Sequence, residues 1–226
     1  MAKRLKSLCG FMKTTTNGSA LTENNIDKLL DCGVDLVIIS LDGNSIAEND
    51  QIRVRADGKK ILNSLKVLIQ KKIETRNPLQ IRVSGIIIPD SIEEIKNPPK
   101  TPAYITEFLG DLCGFIEIKM QYSQIWPGMI PLIPLKQPKP SNNFCDNVES
   151  TITIRWDGTV VPCCYDLTTI SPMGNILDED LESIWNNDKY RKLREGINSF
   201  NPPILCQGCV ELYPQNYMVK QDIKIT

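Results

Sequence analysis

At 226 residues, with 41% hydrophobic and 23% charged, the chain has enough apolar material for a packed core without disulfide staples, so disorder is not its default state. Lys and Arg total 26 against 27 Asp and Glu; the net charge of -1 provides no basic excess for phosphate-backbone binding, and nucleic acid is not indicated. No apolar run reaches the roughly 20 residues that span a bilayer, and the opening Met1-Ala2-Lys3-Arg4-Leu5-Lys6 lacks a following hydrophobic signal core, which reads as a cytoplasmic protein with no membrane partner.

Residues 11–16 are predicted as a short strand with Asn17-Gly18 as its turn. Thr22 then caps a helix through Ile26, Leu29 and Leu30, with Gly33 at the position just past its end. Residues 34–41 form a nearly continuous aliphatic run, as expected of a strand buried on both faces. Asp57 caps a second helix, whose Ile61, Leu62, Leu65, Leu68 and Ile69 recur at three- and four-residue steps. Residues 79–88 and 115–120 are the next strands, separated by the proline-broken stretch 97–102. Strand alternating with helix implies a parallel sheet. Loops at the carboxyl ends of such strands carry chemistry, which singles out Thr16-Asn17-Gly18, Ser40-Leu41-Asp42-Gly43, Pro89-Asp90 and Gln121-Tyr122-Ser123. Taken singly, each of these is also an ordinary turn.

Prolines 127, 131, 134, 138 and 140 make the next segment an extended connector, and the domain boundary falls here: 1–125, a linker 126–143, and 144–226. Beyond it, residues 151–156 alternate at period two, followed by Asp157-Gly158 and Thr159-Val160-Val161-Pro162, a two-residue hairpin signal. Counting back from that turn pairs Trp156 with Thr159 and Ile152 with Cys163. Leu181, Ile184, Trp185 and Leu193 suggest one broken or two short helices ending at Gly196.

The chain has eight cysteines and no histidine, which removes Ser/His and Cys/His dyads and leaves thiolates and carboxylates as the coordinating and proton-moving groups. In a reducing compartment spaced thiols are more often ligands than disulfides. Cys145 and Cys163 are separated by 17 residues, Cys163 and Cys206 by 42, and Cys206 and Cys209 by 2. A hairpin plus a Cys-x-x-Cys loop gathers four thiolates, and Gly208 relaxes that loop so its N–H groups can reach sulfur. A closed structural zinc site and a redox-active four-iron four-sulfur cluster both suit this set, and spacing does not choose between them. Cys163 and the adjacent Cys164 point to opposite faces if they lie on a strand, and Cys163 is taken as the ligand. Cys9, Cys32 and Cys113 read as small core residues.

Together these residues resemble the radical S-adenosylmethionine enzymes that carry a C-terminal SPASM or twitch auxiliary-cluster domain. Thr16-Asn17-Gly18 with Leu21, and Gly33-Val34-Asp35 leading to Ser40-Leu41-Asp42-Gly43, resemble the third and fourth strands of that family's partial barrel. Asp50-Gln51-Ile52-Arg53 and the helix after it fit the segment that follows. Cys145, Gly158 before Cys163, the Pro162-Cys163-Cys164-x-Asp166 stretch, Gly174-Asn175-Ile176, Ser183-Ile184-Trp185 and Cys206-x-x-Cys209 resemble the SPASM/twitch pattern.

The resemblance implies an α/β fold, an incomplete parallel (β/α) partial barrel of strands three to six, followed by a small α+β domain with a hairpin and helices. It implies one auxiliary four-iron four-sulfur cluster on Cys145, Cys163, Cys206 and Cys209, and contacts to S-adenosylmethionine from Ser40, Asp42 and Arg82. No cysteine follows Cys209, so the single-cluster, twitch-like variant is the one resembled. The family's Cys-x-x-x-Cys-x-x-Cys loop and its glycine-rich second-strand motif do not occur in the sequence, so S-adenosylmethionine and a second cluster are expected only in a complete relative. By strand count the chain starts after the family's second strand, and Met1 is expected not to be the start of the complete protein. The substrate class is a peptide, carbohydrate or small metabolite, and association through an exposed sheet edge is expected. The alternative is a non-catalytic four-cysteine zinc scaffold.

Overall fold

The computed structural model describes residues 2–126 and 139–222, and the chain divides into two compact units, Met1–Ser123 and Gln124–Thr226. Most of the proline-rich connector therefore lies outside the described residues.

The first unit opens with α1 (Ala2–Lys6), tied down where Lys6 Nζ meets the Asp35 carboxylate at 2.6 Å. Then come β1 (Lys13–Thr16), α2 (Glu23–Asp31), β2 (Leu36–Ser40), α3 (Ile46–Ile52), α4 (Gly58–Glu74), β3 (Gln80–Ile87), α5 (Ala103–Leu109) and β4 (Glu117–Tyr122). The strands form one parallel sheet in the order β1-β2-β3-β4, with Ile39 opposite Val83 and Ser40 opposite Ser84. Thr22 and Asp57 cap α2 and α4 as predicted, each accepting a backbone N–H of its helix's first turn. Sequence reasoning missed α3 and α5 because both are only seven residues long and lack a sustained apolar period.

One face of the sheet is the core. Val37, Ile39, Ile81 and Val83 pack there against Ile61, Leu65 and Leu68 of α4, Ile26 of α2 and Ile105 of α5. Burial alternates along β3, where Ile81, Val83, Gly85 and Ile87 are buried and Arg82, Ser84 and Ile86 only half-buried. The expectation that β2 is buried on both faces holds at Leu36, 5% exposed, and is corrected at Ile38 and Ser40, which are half-buried on that same face, away from the helices. The four strands run parallel, so all the strand-end loops singled out above leave from one end, and the crossover helices α2, α4 and α5 share the core on one face.

The second unit is built on α6 (Asp146–Glu149), β5 (Thr153–Ile154), β6 (Thr159–Val161), β7 (Gly174–Asn175), α7 (Leu181–Trp185) and α8 (Asp188–Asn198). The three strands form an antiparallel sheet whose Val160 packs with Ile184, Tyr190, Leu193 and Ile197 of the two helices. Gln124 bridges to Tyr217, and the Ile125 N–H donates to Asn216 O, so the chain joins this unit before the proline-rich stretch begins.

The hairpin register differs by one residue from the sequence reading. Thr153 pairs with Val161 and Ile154 with Val160, while the Arg155 N–H donates to Thr159 O at 2.8 Å. The connection is thus three residues, Trp156-Asp157-Gly158, closed by the Gly158 N–H to Arg155 O. Gly158 adopts φ +86°, the left-handed conformation that lets a three-residue loop follow the strand twist, and an Asp-Gly pair serves this turn as well as the two-residue one. Continued along the ladder, this register sets Ile152 against Pro162 rather than Cys163.

Candidate metal centre

Cys145, Cys163, Cys206 and Cys209 all lie in the second unit and all are buried, whereas Cys164 is exposed. Each reaches the site by a different local device. Cys145 is the residue just before α6, Cys163 follows β6, and Cys206 ends a turn of 3-10 helix at Ile204–Cys206. Gly208, at φ +77°, then bends the Cys-x-x-Cys loop so that the Cys209 N–H meets Cys206 O at 3.3 Å. The Asn216 side-chain amide donates to Gly208 O at 3.4 Å, and the Leu212 and Tyr213 N–H groups both donate to Cys209 O. The fully buried Asn216 is a supporting residue that sequence reasoning missed; a lone Asn in a coil carries no periodic signal.

Burial pushes all four thiols upward, Cys163 to about 11 and Cys209 to about 12. At Cys206 the next contributions come from Cys163, Cys209 and Cys145, each of which raises it further. Backbone N–H groups oppose this rise, those of Tyr165 and Asp166 at Cys163, of Val148 and Asn147 at Cys145, and of Glu211 at Cys209. Thiols raised in this way would have to give up their protons to hold a cationic centre, whose charge would reverse the local electrostatics.

Asp166, 2% exposed, organises the loop after Cys163: its carboxylate accepts the Ile170 and Ser171 N–H groups at 2.8 and 3.0 Å, and its own N–H donates to Cys163 O. Tyr165 packs edge-on against Trp126, with centroids 5.1 Å apart.

Residues 145–210 match the SPASM model, an iron–sulfur cluster-binding domain. The chain is related to the radical S-adenosylmethionine SPASM proteins. The tungsten-containing aldehyde ferredoxin oxidoreductase cofactor-modifying protein of Pyrococcus furiosus is 24% identical over 92% of this chain and 68% of its own length. In fold, the chain is similar to anSMEcpe with bound AdoMet (TM-score 0.56, 12% identity, 94% of this chain and 68% of that one). It is similar as well to Streptococcus suis SuiB bound to the precursor peptide SuiA (TM-score 0.50, 15% identity, 99% and 62%). The SPASM match spans all four buried cysteines and stops one residue after Cys209.

Of the three residues placed in the first unit by resemblance, Ser40 ends β2 and Arg82 lies in β3, both half-buried on the helix-free face, and Arg82 Nε meets Glu117 Oε2 at 2.5 Å. Asp42 is different. It is 3% exposed, one carboxylate oxygen accepts the Ile86 N–H at 2.8 Å, and the other lies 2.6 Å from Arg53 Nε, a charge contact rather than an aligned hydrogen bond. Its N–H donates to the buried Asn49 side chain, and the Tyr104 hydroxyl donates to its carbonyl. Asp42 therefore clamps the turn after β2 onto β3. We expect Asp42→Asn to lower unfolding free energy by about 1–3 kcal/mol, since it leaves the half-buried Arg53 guanidinium, whose Nε is buried, without its anion. Urea denaturation checks this, and an unchanged midpoint would remove Asp42 from the scaffold.

Proposed function

We propose that the chain holds one auxiliary four-iron four-sulfur cluster on Cys145, Cys163, Cys206 and Cys209 and serves radical modification of a peptide or small molecule. The observation that carries this reading is the coincidence of the SPASM match with four buried, mutually interacting thiols. Among the described residues no three His, Cys, Asp or Glu side chains are drawn together as a single-ion site.

When bound, such a cluster supplies one-electron chemistry or a Lewis-acidic iron. This chain's own residues do the rest. The cysteines anchor the centre, the N–H groups at their sulfurs stabilise thiolate charge, and the burial of Cys206 and Cys209 keeps water from them. In the first unit, Ser40 and Arg82 offer a hydroxyl and a guanidinium on the helix-free sheet face for S-adenosylmethionine, with Asp42 shaping the turn beside them. The relatives whose lengths this chain spans by about two-thirds are the reference for that activity. No helix among the described residues is long and apolar enough to cross a membrane. A cytoplasmic setting suits thiolates that must stay reduced.

Anaerobic purification followed by iron, sulfide and zinc analysis tests the reading. About four irons and matching sulfide per chain, with a brown thiolate-to-iron absorption, is the expected result. Colourless protein with one zinc overturns it in favour of the scaffold reading.

The sheet edge carries a second expectation. Among the described residues β1 has a strand partner only on its β2 side. Met12 O points toward β2, so by alternation the N–H groups of Lys13 and Thr15 point outward. Such an edge recruits another strand. We expect concentration-dependent association in light scattering and its suppression by Thr15→Pro, which removes an outward N–H while leaving the β2 pairing intact. A wild-type chain that remains monomeric at all concentrations contradicts this.

A further inference from the structure

The second unit leaves a groove of about 420 Å³ between the edge strand β5 and helix α7, lined by Ser150, Ile152, Leu181, Glu182 and Trp185. Its walls follow from local geometry. Leu181 and Trp185 stand four residues apart on one face of α7, and Ile152 enters the edge strand opposite them. Trp185 is braced from behind: the Arg194 guanidinium lies 4.2 Å from its ring centroid and donates to its carbonyl at 3.0 Å, the Tyr190 ring is 5.1 Å away, and Glu149 holds Arg194 at 3.6 Å. Other apolar side chains of this unit are exposed. Ile154 is 42% exposed and Leu181 43%, and on the same hairpin Trp156 is 93% exposed, with Leu177, at 78%, against the turn. Isolated exposed apolar residues need no explanation, but several around one preformed groove mark a contact surface.

The two chain segments that flank the groove are acidic. The segments 146–150 and 178–182 bring Asp146, Glu149, Asp178, Glu179, Asp180 and Glu182 without a single Lys or Arg. Ser150 Oγ, in the groove wall, donates to Asp146 Oδ1 at 2.7 Å, and Glu182 has no ion-pair partner among the described residues. Arg194, the cation beneath, is held by Glu149 and by the two rings.

We propose that this groove binds a peptide segment that inserts an apolar side chain between Ile152, Leu181 and Trp185 and places Lys or Arg beside it against the acidic rim. Apolar anchoring supplies the affinity, and charge complementarity supplies the selectivity and the on-rate. No cysteine lines the groove, so its occupant need not touch the metal.

The probe is fluorescein-labelled Lys-Leu-Lys-Phe-Lys-amide, followed by anisotropy with the full-length, anaerobically purified protein. Two control peptides replace all three Lys with Glu, or Leu and Phe with Ser. Saturable binding of the first is expected, with each control at least about tenfold weaker. Glu182→Lys and Leu181→Glu, both at exposed positions, should each weaken binding by about tenfold or more while circular dichroism and iron content remain those of the wild type. Equal binding of all three peptides, unchanged affinity in both variants, or no saturable binding overturns the proposal. So does self-association of the wild type that Leu181→Glu abolishes, because a second copy of the chain is then the occupant. Peptide binding by a protein that carries zinc or no metal leaves this inference standing while overturning the cluster reading.

Discussion

Cys206→Ser is expected to reduce bound iron to less than about a quarter of the wild-type value and to abolish the brown absorption, whereas Cys164→Ser leaves both unchanged. Cys206 lies deepest in electrostatic terms: burial raises it first, and the other three sulfurs raise it further. A serine hydroxyl there, desolvated and harder to ionise than a thiol, cannot replace a soft thiolate ligand. Cys164 is adjacent to Cys163 in sequence but exposed, and no shared burial joins it to the group. The loss should extend to stability, because Cys145 and Cys206 form part of the same apolar cluster as Val160, Ile184 and Tyr190, and metal binding free energy in such a site is folding free energy. Iron analysis and thermal unfolding of the two variants measure both effects. Full iron in the Cys206 variant would exclude it from the ligand set, and iron loss in the Cys164 variant would place that residue in it.

Gly85→Ala should unfold or precipitate the first unit, a loss of more than about 4 kcal/mol. A Cβ on Gly85 would lie 1.6 Å from the Leu41 carbonyl oxygen and 2.8 Å from Met120 Cε. The oxygen is backbone and cannot swing away. Around it the turn is pinned by three bonds to β3: the Leu41 N–H to Ser84 O at 3.1 Å, the Ile86 N–H to the Asp42 carboxylate at 2.8 Å, and the Gly43 N–H to Ile86 O at 2.8 Å. Relief of the overlap means breaking that set and shifting the segment that carries Ser40. Gly114→Ala is the matched control, with nothing within 4 Å of its Cβ position, and should leave the denaturation midpoint within experimental error. Wild-type solubility and midpoint for the Gly85 variant would show that the turn is not held where we describe it.

The two effects differ in how far the sequence announces them. Four cysteines ending in a Cys-x-x-Cys loop, an Asp-Gly hairpin between the first two, and the absence of histidine were enough to point to a thiolate centre. Nothing in the sequence marks Gly85 apart from other strand glycines, and only the path of the Leu41 carbonyl makes it irreplaceable. Asp42 shows the same contrast. Its place in a strand-end loop was readable, but its partners Asn49 and Arg53, Ile86, and Tyr104 come from three different segments.

By itself the sequence determined the alternation of strands and helices, the helix caps at Thr22 and Asp57, and the set of cysteines that enter the metal-centre proposal. These are local properties, written in side-chain period, in cap chemistry and in spacing within a few turns of chain. Tertiary structure decided which face of the parallel sheet the helices cover, the one-residue shift of the hairpin around Gly158, the burial that separates Cys163 from Cys164, and the acid-rimmed groove beside Trp185. Each of these depends on residues far apart in sequence sharing one excluded volume or one desolvated space. A chain read one window at a time carries no term for that.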